Sequence, residues 1–189
     1  MSPPKLHIAL LHHPVKNKHG DTIASAVTNL DLHDIARIGR TYGIAAFYVV
    51  TPLEDQKTLV GKIVSHWVDG WGGVHNPDRR EALTLVKVKD SLAQVVDEIR
   101  TETHAPVQVV VTCAASRQQA LGFDDFKCRL QDSANAYLLV FGTAWGLTDE
   151  VIGGADHILA PIKGDGSGYN HLPVRAAVAI TLDRILGVA

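Results

Sequence analysis

The sequence predicts an α/β domain in which helices cover both faces of a mostly parallel sheet. Two observations lead to this prediction. Short apolar runs alternate with segments of helical periodicity from end to end, and two runs, VQVVVTC and AYLLVFG, are apolar almost throughout. Runs of that second kind are typical of parallel strands that are buried on both faces. The length of 189 residues and the hydrophobic content of 46% predict a single domain over residues 1–189.

The elements follow one another in a regular order. Strands are predicted where apolar residues run together, and helices where apolar residues recur every three or four positions. In chain order we predict a strand at 5–11, a polar loop at 12–19, a helix at 30–42, a strand at 45–50, a helix at 52–68, a loop at 71–77, a helix at 78–83, a strand at 85–88, a helix at 91–102, a strand at 107–113, a helix at 123–130, a strand at 136–142, a short helix from 147, a strand at 157–161 and a helix at 173–186.

Boundary residues support these assignments. The helix at 30–42 has Asn29 or Asp31 where an N-cap is needed, and Gly43 follows its last turn. Pro52 stands where the next helix begins. We therefore expect the first of these two helices to stop sharply before the second strand.

Charge and cysteine content exclude several classes of protein. A net charge of −2 argues against a protein that holds nucleic acid by bulk positive charge, and no DNA partner is expected. The two cysteines, Cys113 and Cys128, do not form a disulfide framework. No run approaches the roughly 18 apolar residues of a membrane helix. We expect a cytoplasmic protein with no membrane partner.

Several familiar active-site motifs are absent. The sequence contains no GxxxxGK[ST] phosphate loop, no GxGxxG after its first strand and no GxSxG nucleophile turn. Its ten histidines form no HxxxH pair and its cysteines no CxxC, so no metal site is expected.

Small residues instead dominate three loops that follow predicted strands, TCAAS at 112–116, FGTAWGL at 141–147 and APIKGDGSGYN at 160–170. In parallel sheets, ligands bind outside the carboxyl ends of the strands. Small residues let backbone groups approach a flat, weakly charged ligand such as an adenine ring. The alternative interpretation is that these glycines only end strands.

These loops carry a resemblance to the SPOUT superfamily of S-adenosylmethionine-dependent RNA methyltransferases. LLVFGTAWGLTDE resembles its middle motif, and APIKGDGSGYNHLPVRAAVAI resembles its last motif, with Pro161 and Gly164 before Asn170. NLDLHDIARIGRTYGI resembles the first motif of the ribose 2′-O-methylating branch, in which an arginine precedes a glycine by six residues, as Arg37 precedes Gly43. The matches run in the same order from about 6 to 186. The chain is similar to a small stand-alone SPOUT domain.

The resemblance implies a deep C-terminal trefoil knot at about 107–187, with S-adenosylmethionine bound bent inside it. It also implies a homodimer in which Arg37 reaches the methyl group of the partner's cofactor. The closing helix, apolar nearly all round, suits cover by a partner. The residues implied in cofactor binding are Thr112, Cys113, Ala114, Phe141, Gly142, Thr143, Gly146, Leu147, Ala160, Pro161, Ile162, Tyr169, Asn170, Leu172 and Ala177.

Three residues are candidates for catalysis. Arg37 is placed to bind an RNA phosphate or lower the pKa of an acceptor hydroxyl, or else to pair with Asp34 on the helix surface. Asn170 orients the acceptor or caps the closing helix. Arg175 lies in the first turn of that helix, where its charge opposes the helix dipole, which points to a ligand or to a solvated side chain.

The sequence also departs from the superfamily pattern. Ala144 and Trp145 stand where the ribose branch has a glutamate, and Leu172 stands where it has a serine. The aspartate base that the guanine-methylating branch carries in a C-terminal extension is missing. The target atom and the general base therefore stay open. Trp145 and Tyr169 either stack at the pocket or belong to the core.

The functional hypothesis is an RNA methyltransferase that acts on a tRNA or rRNA nucleotide. The alternatives are a non-catalytic RNA- or S-adenosylmethionine-binding module of the same fold and an unrelated α/β enzyme that uses an adenine nucleotide. For RNA, the most electropositive surface is predicted at 12–19, joined by Arg37, Arg40, Arg79 and Arg80. WGGVHNPDRR, with Trp71 and His75, either meets RNA or is a solvated loop.

Overall fold

A computed structural model describes residues 6–115, 119–132, 134–167 and 169–188. Ser116, at the end of the first small-residue loop, and Gly168, in the last one, lie outside the described residues. Within the described residues the strands are β1 (Leu6–Leu11), β2 (Val15–Lys16), β3 (Thr22–Ile23), β4 (Ala46–Val50), β5 (Val86–Lys89), β6 (Val107–Thr112), β7 (Ala136–Gly142) and β8 (His157–Leu159).

The helices alternate with the strands, as predicted. They are α1 (Asn29–Tyr42), α2 (Glu54–Val68), α3 (Trp71–His75), α4 (Pro77–Leu83), α5 (Leu92–Thr103), α6 (Phe123–Arg129), α7 (Asp149–Gly153) and α8 (Val174–Leu186). None of these described helices is both long and apolar enough to cross a membrane.

Six strands form one sheet in the order β5-β4-β1-β7-β6-β8, and every pairing within it is parallel. The predicted parallel α/β architecture is confirmed. β1 lies at the centre, where Ile8 is aligned with Phe47 of β4 on one side and with Leu139 of β7 on the other. β2 and β3 form a separate antiparallel pair.

Helices cover both faces of the sheet because the side chains of β1 alternate between them. Ile8 and Leu10 face a core that α1, α2, α4, α6 and α8 complete, whereas Ala9 and Leu11 face a second core under α5 and α7. All six β1 residues are buried. The predicted two-sided burial is confirmed for β7, which is buried from Ala136 to Phe141. It is wrong for most of β6, in which only Val110 and Val111 are fully buried, because β6 lies one strand from the edge of the sheet.

The cap of α1 differs from the prediction by one position. The Thr28 hydroxyl, not Asn29 or Asp31, accepts a hydrogen bond from the Asp31 backbone N–H at 3.2 Å. The same hydroxyl donates to the Asp31 carboxylate at 2.6 Å, so the two side chains close the first turn reciprocally. Gly43 ends the helix at φ 71°, as expected of a left-handed C-terminal residue.

Two segments predicted as loops contain regular structure. The segment at 12–19 forms part of the β2–β3 hairpin. The segment at 71–77 contains α3, although its two glycines disfavour a helix intrinsically. Those glycines serve a packing purpose, because a Cβ on Gly73 would overlap the carbonyl oxygen of Trp67 in α2. Tertiary contact here overrides local propensity.

Candidate active site

Three loops of small residues meet at the end of the sheet where the strands have their carboxyl ends. They follow β7, β6 and β8, which are adjacent and parallel, so their carboxyl ends lie side by side. Open α/β sheets bind ligands at this carboxyl end of their strands. The loops predicted to form one site are thus brought together by the order of the strands.

Side-chain hydrogen bonds connect these loops. The Asn170 amide donates to the Ala114 carbonyl oxygen at 3.1 Å, which joins the loop after β8 to the loop after β6. The Thr112 hydroxyl donates to the Val140 carbonyl oxygen in β7 at 3.0 Å. Asn170 is therefore not the cap of α8, whose N-cap is Pro173 without any side-chain hydrogen bond.

The loop after β7 is held from outside the site. The Thr143 backbone N–H and its hydroxyl both donate to the Leu11 carbonyl oxygen, at 3.2 and 3.0 Å. The Trp145 N–H donates to the Lys16 carbonyl oxygen at 3.0 Å, and the Lys16 N–H donates to Gly146 at 2.9 Å. These backbone hydrogen bonds thus attach the loop after β7 to the end of β1 and to the β2–β3 hairpin.

A partly buried chain of polar side chains lies behind the same loop. The Thr143 hydroxyl is 2.6 Å from the Ser25 hydroxyl, which is 3.1 Å from the His12 Nδ1. Burial lowers the pKa of His12 to about 4, against an opposing effect of Asp31. The prediction that His12 belongs to an electropositive loop is therefore wrong. His12 continues β1 by one residue into the protein and is neutral near pH 7.

The residues implied in cofactor binding divide by exposure. Phe141 and Leu147 are buried in the two cores, so only their backbone atoms are free to face a ligand. Leu172 is partly exposed, and Trp145 and Tyr169 are 64% and 77% exposed, so neither aromatic belongs to the core. The half-buried members are Thr112, Cys113, Gly142, Thr143, Gly146, Ala160, Pro161, Ile162 and Ala177, and the other exposed ones are Ala114 and Asn170.

The two candidate arginines line an open groove of about 510 Å³ between α1 and α8, outside the three loops. Arg175 forms ion pairs with Asp31 at 3.2 Å and with Asp34 at 3.1 Å. These carboxylates explain why a positive charge is tolerated in the first turn of α8. Arg37 has no carboxylate within 4 Å among the described residues, so the predicted alternative, a pair between Arg37 and Asp34, is not formed.

The arrangement separates two chemical tasks. Backbone groups of the three loops are suited to hold a flat, weakly charged ligand, whereas the groove offers one arginine that is free to bind an anion. Among the described residues, no three His, Cys, Asp or Glu side chains converge as metal ligands would. Sequence reasoning missed Ser25 and Asp31, since neither stands in a motif that marks its distant partner.

Comparison with known proteins gives a consistent result. A protein family described as SAM-dependent RNA methyltransferase matches residues 5–187. A tRNA (guanine-N(1)-)-methyltransferase of Oleidesulfovibrio alaskensis is 41% identical over 97% of this chain, which spans only 42% of that relative's length. An uncharacterized protein of Aquifex aeolicus is 36% identical over 94% of this chain and 86% of its own.

Solved structures share the fold at low sequence identity. A probable methyltransferase from Bordetella pertussis has a TM-score of 0.63 at 16% identity, over 96% of this chain and 94% of that one. The SpoU methyltransferase AviRb from Streptomyces viridochromogenes, solved with AdoMet, has a TM-score of 0.58 at 17% identity, over 98% and 58%. TrmJ from Z. mobilis has a TM-score of 0.61 at 15% identity, over 96% and 68%.

Proposed function

The chain belongs to the family of S-adenosylmethionine-dependent RNA methyltransferases, and we propose that it methylates a nucleotide of tRNA or rRNA in the cytoplasm. The SPOUT resemblance predicted from the three motifs is confirmed for family and fold. The observation that carries the proposal is the meeting of three small-residue loops at the carboxyl ends of β7, β6 and β8, within the segment that the family covers.

We assign the cofactor to these loops. Backbone atoms of Thr112, Phe141, Gly142 and Ile162 would hold its adenine, within a segment at about 107–187 that we propose is knotted. When bound, the cofactor supplies a methyl group on a sulfonium, which is open to in-line attack by an oxygen or nitrogen of the acceptor. The protein's own task is to align the two reactants and let the acceptor lose its proton.

Arg37 is proposed as the residue that contacts the acceptor. Its guanidinium is exposed in the α1–α8 groove and has no carboxylate partner among the described residues, so it is available to an RNA phosphate or to a developing oxyanion. Arg175 shapes the same groove through Asp31 and Asp34 and is proposed as a positioning residue.

The proposal includes a homodimer that buries the α1–α8 groove. Ile38, Ala176 and Ala179 leave an apolar surface there that a single copy of the chain only partly covers. In such a dimer, Arg37 would contact the acceptor beside the methyl group of the cofactor that the partner subunit binds. Guanine N1 activity is named for relatives that this chain matches over 42% of their length, so the proposal extends to the RNA class and not to that atom.

Calorimetric titration tests the proposal first. S-adenosylmethionine and S-adenosylhomocysteine are expected to bind with micromolar affinity and a defined stoichiometry per chain, whereas ATP and NAD serve as controls. Transfer of labelled methyl groups to total tRNA and rRNA tests catalysis. Cofactor binding without transfer would favour a non-catalytic module, in line with Ala144, Trp145 and Leu172 at the positions where the sequence departs from the pattern. Selective binding of ATP or NAD would contradict the proposal.

Replacing Gly142 with alanine is expected to weaken S-adenosylmethionine binding by about 10- to 100-fold, since overpacking typically costs about 1–3 kcal/mol and the strain falls on the binding loop. A Cβ at this position would lie 2.8 Å from the Leu147 backbone nitrogen and 3.0 Å from the Gly146 carbonyl carbon. The loop after β7 would therefore have to move away from the strand.

Gly153→Ala is the matched control, because a Cβ there meets nothing within 4 Å. Calorimetry gives the affinity of both variants, and circular dichroism with thermal melting checks that Gly142→Ala still folds. Parent-like affinity in a folded Gly142→Ala protein would show that this loop does not hold the cofactor.

A further inference from the structure

An exposed aromatic pair on α3 has no role in the proposed active site. Trp71 is 75% exposed and Val74 is 70% exposed. The Trp71 ring stacks on the His75 ring, with centroids 6.1 Å apart and planes at 25°. Large aromatic side chains are usually buried, and apolar groups that cluster in solvent often mark a binding surface.

Packing of α3 on α2 forces this pair outward. A Cβ on Gly72 would lie 2.7 Å from the Trp67 ring, and a Cβ on Gly73 would overlap the Trp67 backbone. Only glycines allow such a close approach, so this side of α3 must face α2. Residues three and four positions apart share a helix face, which places Trp71, Val74 and His75 together on the opposite, solvent side.

Positive charge without a carboxylate partner lies beside the aromatic pair. The Arg79 guanidinium stacks over the Trp67 ring at 4.6 Å, and the aliphatic part of the exposed Arg80 lies over Gly73. In the described part of the chain, neither arginine has a carboxylate within 4 Å, although Asp78 precedes them.

On the opposite face of the sheet the basic side chains are neutralised. Lys87 pairs with Glu98 at 2.9 Å and with Glu102 at 2.7 Å, and Lys89 also pairs with Glu98. The α3–α4 segment carries two arginines and two carboxylates, but Glu81 pairs with Arg40 of α1, so Arg79 and Arg80 keep their charge without an ion pair among the described residues. A guanidinium without a carboxylate partner is available to bind a phosphate.

We propose that Trp71, His75 and Arg80 form a platform, here called the α3 platform, that binds an unpaired nucleotide of the RNA substrate. The Trp71 and His75 rings stack on the base, and Arg80 contacts the adjacent phosphate. Aromatic stacking with arginine–phosphate contact is the usual way in which proteins bind single-stranded RNA. The inference rests on the proposed function and adds to it a second RNA contact.

The α3 platform lies far from the cofactor loops. α2 starts after the carboxyl end of β4 and runs back for 15 residues, which is about 22 Å at the rise of an α-helix. α3 therefore lies at the end of the sheet where the strands begin. The stacked nucleotide is not the methylated one, so its loss should weaken RNA binding and leave the chemical step intact.

Trp71→Ala is expected to weaken binding of the methylated RNA by about 5- to 100-fold and to raise KM accordingly, with kcat and S-adenosylmethionine affinity unchanged. Trp71→Phe should recover part of the loss, because it keeps an aromatic face. Arg80→Ala should reduce the slope of log affinity against log salt concentration by about 1, which corresponds to one lost phosphate contact. Val74→Ala, at a neighbouring position with similar exposure, is the matched control and should behave as the parent.

Filter binding, steady-state kinetics and light scattering distinguish the outcomes. Parent-like RNA affinity in Trp71→Ala would overturn the platform, and so would a change in its oligomeric state, which would identify the surface as a protein interface. If the parent binds tRNA or rRNA but methylates neither, the proposed function fails. The α3 platform is then tested by RNA binding alone, that is, by whether Trp71→Ala binds the RNA more weakly than the parent. If the parent binds no RNA, both fail.

Discussion

Alanine in place of Arg37 is expected to leave S-adenosylmethionine binding unchanged and to lower methyl transfer by about 100- to 1,000-fold, the usual cost of removing one charge-stabilising donor from an active site. Arg37 belongs to α1, outside the three loops assigned to the cofactor. Its guanidinium has no carboxylate partner among the described residues, so its removal disrupts no ion pair of the fold.

Arg175 provides the contrasting case. Its guanidinium connects α8 to Asp31 and Asp34 of α1, so Arg175→Ala removes two ion pairs between these helices and is expected to lower stability as well as activity. Single-turnover kinetics with saturating cofactor measure the loss of methyl transfer in Arg37→Ala. Thermal melting checks that this variant keeps the parent's stability. Full methyl transfer by Arg37→Ala would remove Arg37 from the mechanism.

Mixing Arg37→Ala with Gly142→Ala, at a cofactor concentration well below the Kd of the second variant, tests whether Arg37 acts across the dimer. Arg37→Ala keeps the cofactor loops and Gly142→Ala keeps Arg37, so a heterodimer would contain one complete site. Random re-association of equal amounts should restore about a quarter of the parent's activity, because half of the dimers are mixed and each has one working site of two. No recovery, with mixed dimers shown by mass spectrometry, would mean that Arg37 serves its own subunit.

The fold could be predicted from local patterns because its central strands are buried on both faces. β7 occupies 136–142, the range that the apolar run AYLLVFG predicts. Local patterns failed where packing between two elements decides the conformation, as in α3, whose glycines allow close approach to Trp67 of α2 rather than form a turn. His12 was placed in a polar loop because its burial depends on Ser25 and on the strand that it extends.

The candidate site could also be predicted only in part. Small residues after three strands revealed where a ligand would be held, since strand ends in a parallel sheet are fixed by the sheet order. Contacts between residues far apart in sequence left no local trace. The pair of Arg175 with Asp31 spans 144 positions, and the contact of Ser25 with Thr143 spans 118. For Arg175 the sequence therefore left a ligand and a solvated side chain as alternatives and did not indicate its ion pairs with Asp31 and Asp34.

Acidification from pH 7.5 to pH 4.5 is expected to lower the free energy of unfolding by about 5 kcal/mol, which is a large share of the about 5–15 kcal/mol that stabilises a typical domain. The cause is a pair of buried histidines, His7 and His12, whose pKa values are both lowered from 6.5 to about 4. Burial is the main cause in each case. Glu102 and Glu98 oppose it at His7, and Asp31 opposes it at His12.

The direction follows from proton counts. Between pH 6.5 and pH 4 the unfolded chain takes up a proton on each of these histidines, whereas the folded chain does not, so stability falls as the pH falls. Above pH 6.5 both states hold neutral rings and the contribution is complete. The pKa of Glu98 is lowered from 4.5 to about 2, so the stability that this carboxylate contributes is lost mainly below pH 4.5, outside the measured range.

His7→Leu separates the two histidines. Among the described residues, neither ring nitrogen of His7 has a hydrogen-bond partner, so an apolar side chain of similar size should keep the stability at pH 7.5 within about 1 kcal/mol of the parent. The variant should lose only about half as much stability on acidification, because His12 then accounts for most of the proton uptake on unfolding. His33, whose pKa burial also lowers, contributes the rest. Urea unfolding at half-unit pH steps measures both slopes. A free energy that stays level from pH 7.5 to pH 4.5 would mean that these rings are protonated in the folded protein, and the partly buried His12–Ser25–Thr143 chain would then carry a positive charge behind the cofactor loop.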